Sequence, residues 1–143
     1  MAVWAVEWLV STDGGNREIP AFVFLLRQPA NVRTQLLAIV DAVRTTGPDQ
    51  WRDKQSHTRM SGSCGHLHEA RDRQDQMLYR LYLRWQRDAR RVVIIDGIAK
   101  PNSTALADSF YEDLAELAAT IDQQPAPFAT TDDFVRLTLS PPG

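Results

Sequence analysis

The chain has a single cysteine, Cys64, so it can form no internal disulfide and has no second thiol at a zinc-site spacing. It has no run of eighteen apolar residues, the length needed to cross a membrane as a helix. Its opening, Met1-Ala2-Val3-Trp4, places no basic region ahead of an apolar stretch, which gives the expectation of no signal peptide and a cytoplasmic protein. No internal repeat is present. Surplus positive charge is also lacking: the formal net charge is -2 over 143 residues, a balance that argues against a dedicated nucleic-acid binder. What is present is 43% apolar residues, enough for one folded domain with a core that needs neither disulfide nor metal.

The charge is unevenly spread. Residues 1–50 hold four Arg against five acids, residues 51–100 eleven Lys or Arg against six acids, and residues 101–143 only Arg136 against seven acids. A basic middle beside an acidic end can bind a polyanion locally despite a negative total. The competing reading is that both sets are solvated faces that pair with each other.

Periodicity orders the chain. Residues 2–10 read as an early strand, with Trp4, Val6, Trp8 and Val10 on one face. Asp13-Gly14-Gly15-Asn16 breaks it. Helical spacing follows from Glu18 to Arg27, with Pro20 tolerated in the first turn. It resumes after Pro29 at Val32, Leu36, Ile39, Val40 and Val43, and Gly47-Pro48 ends it. Residues 48–64 read as a long polar loop. A short strand is expected from Gly65 to Arg71, with a hairpin connection at Asp72-Arg73-Gln74-Asp75. Met77 to Trp85 is the clearest strand: Met77, Tyr79, Leu81, Leu83 and Trp85 form the expected buried face, and Leu78, Arg80, Tyr82, Arg84 and Gln86 the exposed one. Arg87-Asp88-Ala89 turns the chain into Val92-Val93-Ile94-Ile95, an apolar run expected of a central strand.

Leu106, Phe110, Leu114, Leu117 and Ile121 then predict an amphipathic helix capped by Asn102, Ser103 or Thr104. Residues 134–139 look like a strand. The expected architecture is α+β in the order β-α-α-β-β-β-α, with three consecutive antiparallel strands and helices on one side. Residues 1–122 form the domain and 123–143 a C-terminal tail.

Arg80, Tyr82 and Arg84 share one face of their strand at period two. Guanidinium groups recognise phosphates through paired hydrogen bonds, and a phenol between them can stack on a base or move a proton. That grouping suits single-stranded RNA. The alternative is a polar sheet face whose Tyr and Arg stems pack under a helix. His66 and His68 share a face of the preceding strand. They are candidates for acid–base work, whereas a metal site would need further ligands that no defined spacing supplies. A catalytic Cys64 assisted by these histidines is a further reading. Glu69 and Arg71 read as a same-face structural pair.

The element order and several local patterns resemble the RelE/ParE toxin superfamily, most closely its HigB-like, phage-derived branch. The residues that carry this are Leu67-His68-Glu69-Ala70-Arg71, Tyr79-Arg80-Leu81-Tyr82, Val92-Val93-Ile94-Ile95-Asp96-Gly97-Ile98-Ala99-Lys100 and the helix from about Thr104. The early strand and the helical pair before Gly47 also fit, so the resemblance spans about residues 2–121. It implies a RelE-like fold and the toxin role in a type II toxin–antitoxin system. The implied activity is ribosome-dependent mRNA cleavage without metal or other cofactor. The implied partners are a cognate antitoxin, mRNA and the ribosome, with no membrane. Carried over by position, Arg80 is the first candidate for phosphate stabilisation, and Arg71 and Lys100 match the other basic positions. Tyr82, His68 and His66 are proton-transfer candidates from local chemistry. Arg84, Arg73 and Arg87 are RNA-binding candidates. The second hypothesis is a non-catalytic binding protein on the same scaffold, either a ParE-like topoisomerase inhibitor or a phage-derived interaction protein.

Overall fold

In the computed structural model the described residues are 4–11, 18–46, 57–59, 67–123 and 128–139. They form β1 (Ala5–Trp8), α1 (Pro20–Leu26), α2 (Ala30–Thr46), β2 (His57–Arg59), β3 (His68–Gln74), β4 (Met77–Gln86), β5 (Arg91–Pro101), α3 (Asp108–Gln123), β6 (Ala129–Thr130) and α4 (Thr131–Leu139). The class is α+β, around a six-stranded sheet ordered β2-β3-β4-β5-β1-β6. β2 through β5 pair antiparallel, but β1 runs parallel to β5, so the sheet is mixed.

Both faces of the sheet are covered, which corrects the expectation of helices on one side only. On one face, residues of α1 and α2 pack with Tyr79, Leu81, Leu83, Val92 and Ile94. On the other, Leu114, Ala118 and Ile121 of α3 pack with Leu67, Tyr82, Val93 and Ile95. The alternation along β4 and β5 feeds both clusters, as a strand buried on two sides requires. The face holding Arg80, Tyr82 and Arg84 is therefore not an open surface: α3 lies over part of it.

Local chemistry explains where the elements stop. Pro20 occupies the first turn of α1 as expected. The β3–β4 hairpin turns two residues later than the sequence suggests. Gln74 pairs with Met77, and Asp75 and Gln76 take positive φ values of 51° and 66°, the backbone of a two-residue hairpin turn. The segment after β5 does not enter helix at Thr104. Lys100 Nζ donates to the carbonyls of Thr104 (2.6 Å) and Pro101 (3.2 Å), and Thr104 N–H donates to the Pro101 carbonyl (3.1 Å). These bonds hold 101–104 as a turn and delay α3 to Asp108. Within the stretch read as a loop, residues 57–59 form β2. Gly65 and His66 lie outside the described residues, as does Cys64.

The strand-like run 134–139 is helical. Thr130 N–H donates to Asp133 Oδ2 (2.7 Å) and Asp133 N–H donates back to Thr130 Oγ1 (3.3 Å), a reciprocal cap at the start of α4. Asp132 and Asp133 also complement the helix dipole there. Phe134 then packs into the α1–α2 core, with its ring 5.0 Å from Phe22 and 6.5 Å from Trp8, while Trp8 Nε1 donates to Thr131 Oγ1 (2.9 Å). The segment after α3 thus contributes to the main core.

One close approach constrains the sheet beside the site. A Cβ added at Gly97 would overlap the Phe24 ring and stand 2.8 Å from the Arg80 carbonyl oxygen, which cannot move without disturbing the β4–β5 ladder. Gly97→Ala should lower stability by about 1–3 kcal/mol, and Phe134→Ala by about 3–5 kcal/mol, both measured by urea unfolding. A wild-type midpoint for Phe134→Ala would show that α4 is not part of the cooperative core.

Candidate functional site

The site is built on the α3-facing side of β3, β4 and β5. Register pairs Glu69 with Tyr82, Arg71 with Arg80, Arg73 with Leu78, and Leu78 with Lys100. Residues directly opposite in an antiparallel ladder point to the same side. Pairing therefore gathers Glu69, Arg71, Arg73, Arg80, Tyr82 and Lys100 on one face.

Glu69 is the centre of this group. Its side chain is 7% exposed, yet it faces two cations: Oε1 lies 3.7 Å from Arg71 Nε and Oε2 3.6 Å from Arg80 Nε. Burial raises the pKa of its carboxyl above the ordinary carboxylate value, against the pull of Arg80, Arg71 and Lys100. The Arg71 and Arg80 side chains are 21% and 17% exposed, more open than Glu69, although the Nε atom of each is buried. Burial also opposes the charge on Arg80, but Tyr82, Glu69 and Tyr111 outweigh it, and its pKa is raised. Arg80 Nη1 stands 3.5 Å from the Tyr111 hydroxyl of α3.

The remaining candidates separate. Tyr82 is fully buried, with its ring 5.7 Å from Phe110, and its hydroxyl makes no hydrogen bond of good geometry. Burial pushes its pKa up to about 12, with Arg80 acting against the rise. Arg84 Nη1 donates to the Ala118 carbonyl of α3 (3.1 Å), which makes it an anchor for that helix. Lys100 is buried and committed to the turn after β5. Arg73 is exposed beside Arg71. Arg87 is exposed in the turn beyond β4, roughly 20 Å along the strand from Arg80. His68 alternates away from Glu69 and opposes Leu83, so its ring lies on the other face of the sheet, 6.4 Å from Trp85. It does not meet Arg80.

Arg71 and Arg80 are thus the pair that the fold brings together. Glu69 and Tyr111 are the partners that sequence reasoning did not single out for function. The period-two spacing of Glu69 and Arg71 signalled the first. Tyr111 had no signal, because its contact depends on how α3 docks. Among the described residues, no group of three or more His, Cys, Asp or Glu could hold a metal ion, and no helix is long and apolar enough to cross a membrane.

Comparison with known protein families, curated proteins and solved structures finds no match to this chain.

The buried phenol gives a test of this geometry. A group whose folded pKa is raised contributes stability that is full below its unfolded value and is lost as pH rises through the folded one. For Tyr82 that window runs from about pH 10 to about 12. Wild type should therefore lose more stability than Tyr82→Phe between these limits in thermal unfolding. At neutral pH the variant should lie within about 1 kcal/mol of wild type, because it removes a hydroxyl without a good partner. Equal alkaline losses would place Tyr82 in contact with solvent.

Proposed function

We propose that this chain is the toxin component of a type II toxin–antitoxin pair of the RelE/ParE superfamily, HigB-like branch, and that it acts on mRNA at the ribosome. The observation that carries the reading is the Arg71–Arg80 pair, set opposite each other across β3 and β4 and held by one buried carboxylate. Two arginine side chains on adjacent strands, each partly open to solvent, suit the oxygens of one phosphodiester.

In metal-independent RNA cleavage the ribose 2′-oxygen attacks the adjacent phosphorus, the 2′-hydroxyl proton is removed, and the departing 5′-oxygen gains a proton. Negative charge builds on the non-bridging oxygens between these events. Arg80 and Arg71 are suited to that charge. Lys100 supports them from β5 by field rather than by contact, since its ammonium is held by backbone carbonyls. Of the titratable groups beside the pair, Tyr111 contacts Arg80 and Glu69 contacts both arginines.

A second reading, a non-catalytic binding protein on the same scaffold, is favoured by one observation. Tyr82 is enclosed under α3 and His68 lies across the sheet, so neither stands free beside the pair to move a proton. Induced expression with mapping of mRNA 5′ ends separates the two. The toxin reading predicts growth arrest and cleavage within codons, with cleavage falling at least about a hundredfold in Arg80→Ala, an order of magnitude like that of removing one charge-stabilising donor, while its circular dichroism is unchanged. Arrest with intact mRNA supports the binding protein. No arrest contradicts the toxin reading and the topoisomerase-inhibitor form of the second, and leaves a phage-derived interaction protein.

A further inference from the structure

Arg71 and Arg80 oppose each other across an antiparallel ladder, where like charges repel. Glu69 offers one carboxylate oxygen to the Nε edge of each guanidinium, at 3.7 Å and 3.6 Å, from a position almost closed to solvent. This is the arrangement of an anion receptor whose resident anion comes from the chain itself. Two cations against one carboxylate leave one positive charge over, and Arg73 and Lys100 on the same face add to it.

We infer that Glu69 is the internal competitor of the ligand at this site: a phosphodiester that docks on Arg71 and Arg80 displaces the claim of Glu69 on them, and Glu69 takes up one proton from solvent. The inference rests on the reading of the arginine pair as a phosphate site.

The surroundings of Glu69 support the exchange. Among the described residues, the charged and titratable groups around it are Arg71 on β3, Arg80 and Tyr82 on β4, Lys100 on β5 and, next to Arg80, Tyr111 of α3. Thr58 of β2 holds the register position opposite it. The arginines keep their charge at all ordinary pH values, and burial keeps the Tyr82 phenol neutral. Glu69 is the member of this group that can change charge as the pH falls below neutral. Its burial already favours the protonated form. An incoming phosphate that neutralises the arginines removes the attraction that holds the carboxylate charged, so the two anions exclude each other by linkage.

The test is equilibrium binding of a short single-stranded 2′-deoxy oligonucleotide, which cannot be cleaved at a 2′-oxygen and whose phosphodiesters keep constant charge over the range used. Binding is followed by fluorescence anisotropy for wild type, Glu69→Gln and Arg80→Ala. Glu69→Gln should bind about tenfold tighter than wild type at neutral pH, the scale of one charge a few ångströms from the ligand at a protein surface. Wild type should gain affinity as the pH is lowered from about 8 to about 5, and most of that gain should be absent in Glu69→Gln. Unchanged or weaker binding by Glu69→Gln, with Arg80→Ala still reducing affinity, overturns the competitor role alone. Wild-type binding that is absent, or indifferent to Arg80→Ala, overturns the phosphate reading beneath it. Calorimetry of the wild type in two buffers of different ionisation enthalpy needs no variant: net proton uptake on binding is expected, and none overturns the exchange.

Discussion

The buried carboxylate of Glu69 between Arg71 and Arg80 is the interaction on which the rest of this side of the molecule depends. Two arginines directly opposite each other on adjacent strands would by themselves push β3 and β4 apart. A carboxylate alone at a site 7% exposed would be costly to keep charged. Each half of the cluster makes the other tolerable, and the balance still leaves positive charge at the surface. Breaking such a group on one side generally costs more than the group contributes as a whole, because it strands the remaining charge.

The fold arranges everything else around that group. The antiparallel register of β3, β4 and β5 determines which side chains share its face. The register shift at Tyr82–Leu83 sets Asp96 opposite Tyr82 and Ile94 opposite Leu83, and Gly97 lets Phe24 of α1 close on the opposite side. α3 is tied to the same strands by Arg84 and Tyr111, so its docking and the orientation of Arg80 belong to one set of contacts. The arginine pair therefore stands on sheet strands with α3 beside it on the same face, and not on a loop. That is the setting in which charged groups can be held in place before a ligand arrives.

Much of this was legible in the sequence. Period two along Met77–Trp85, the apolar run at 92–95 and the helical spacing at 32–43 and 106–121 each correspond to an element of the fold. Three features were not legible, for distinct reasons. Phe134-Val135-Arg136-Leu137-Thr138-Leu139 has the composition of a strand, and only the Thr130–Asp133 cap and the burial of Phe134 make it helical. The face with Arg80, Tyr82 and Arg84 was read as exposed with packing under a helix as the alternative, and the docking of α3 on Tyr82 and Arg84 decides for the alternative there. Alternation already set His68 and Glu69 on opposite faces, but which of those faces holds Arg80 is decided by the β3–β4 register. At the site, Arg80 and Arg71 were separate candidates in the sequence, and the β3–β4 register makes them a pair. The carboxylate that organises it looked like an ordinary strand pair, because the approach of Arg80 from the next strand is a matter of register.

The central claim is that Arg71 and Arg80 together hold the phosphate backbone of a single strand. The salt dependence of oligonucleotide binding measures it most directly, because each neutralised phosphate contributes about 0.7 to the slope of log affinity against log salt for single strands. In a doubly substituted Arg71→Gln, Arg80→Gln chain, which loses the one phosphate the pair shares, the slope should fall by about 0.7. A slope equal to that of the wild type would contradict the account, and would assign the phosphate contacts to other cations of the chain.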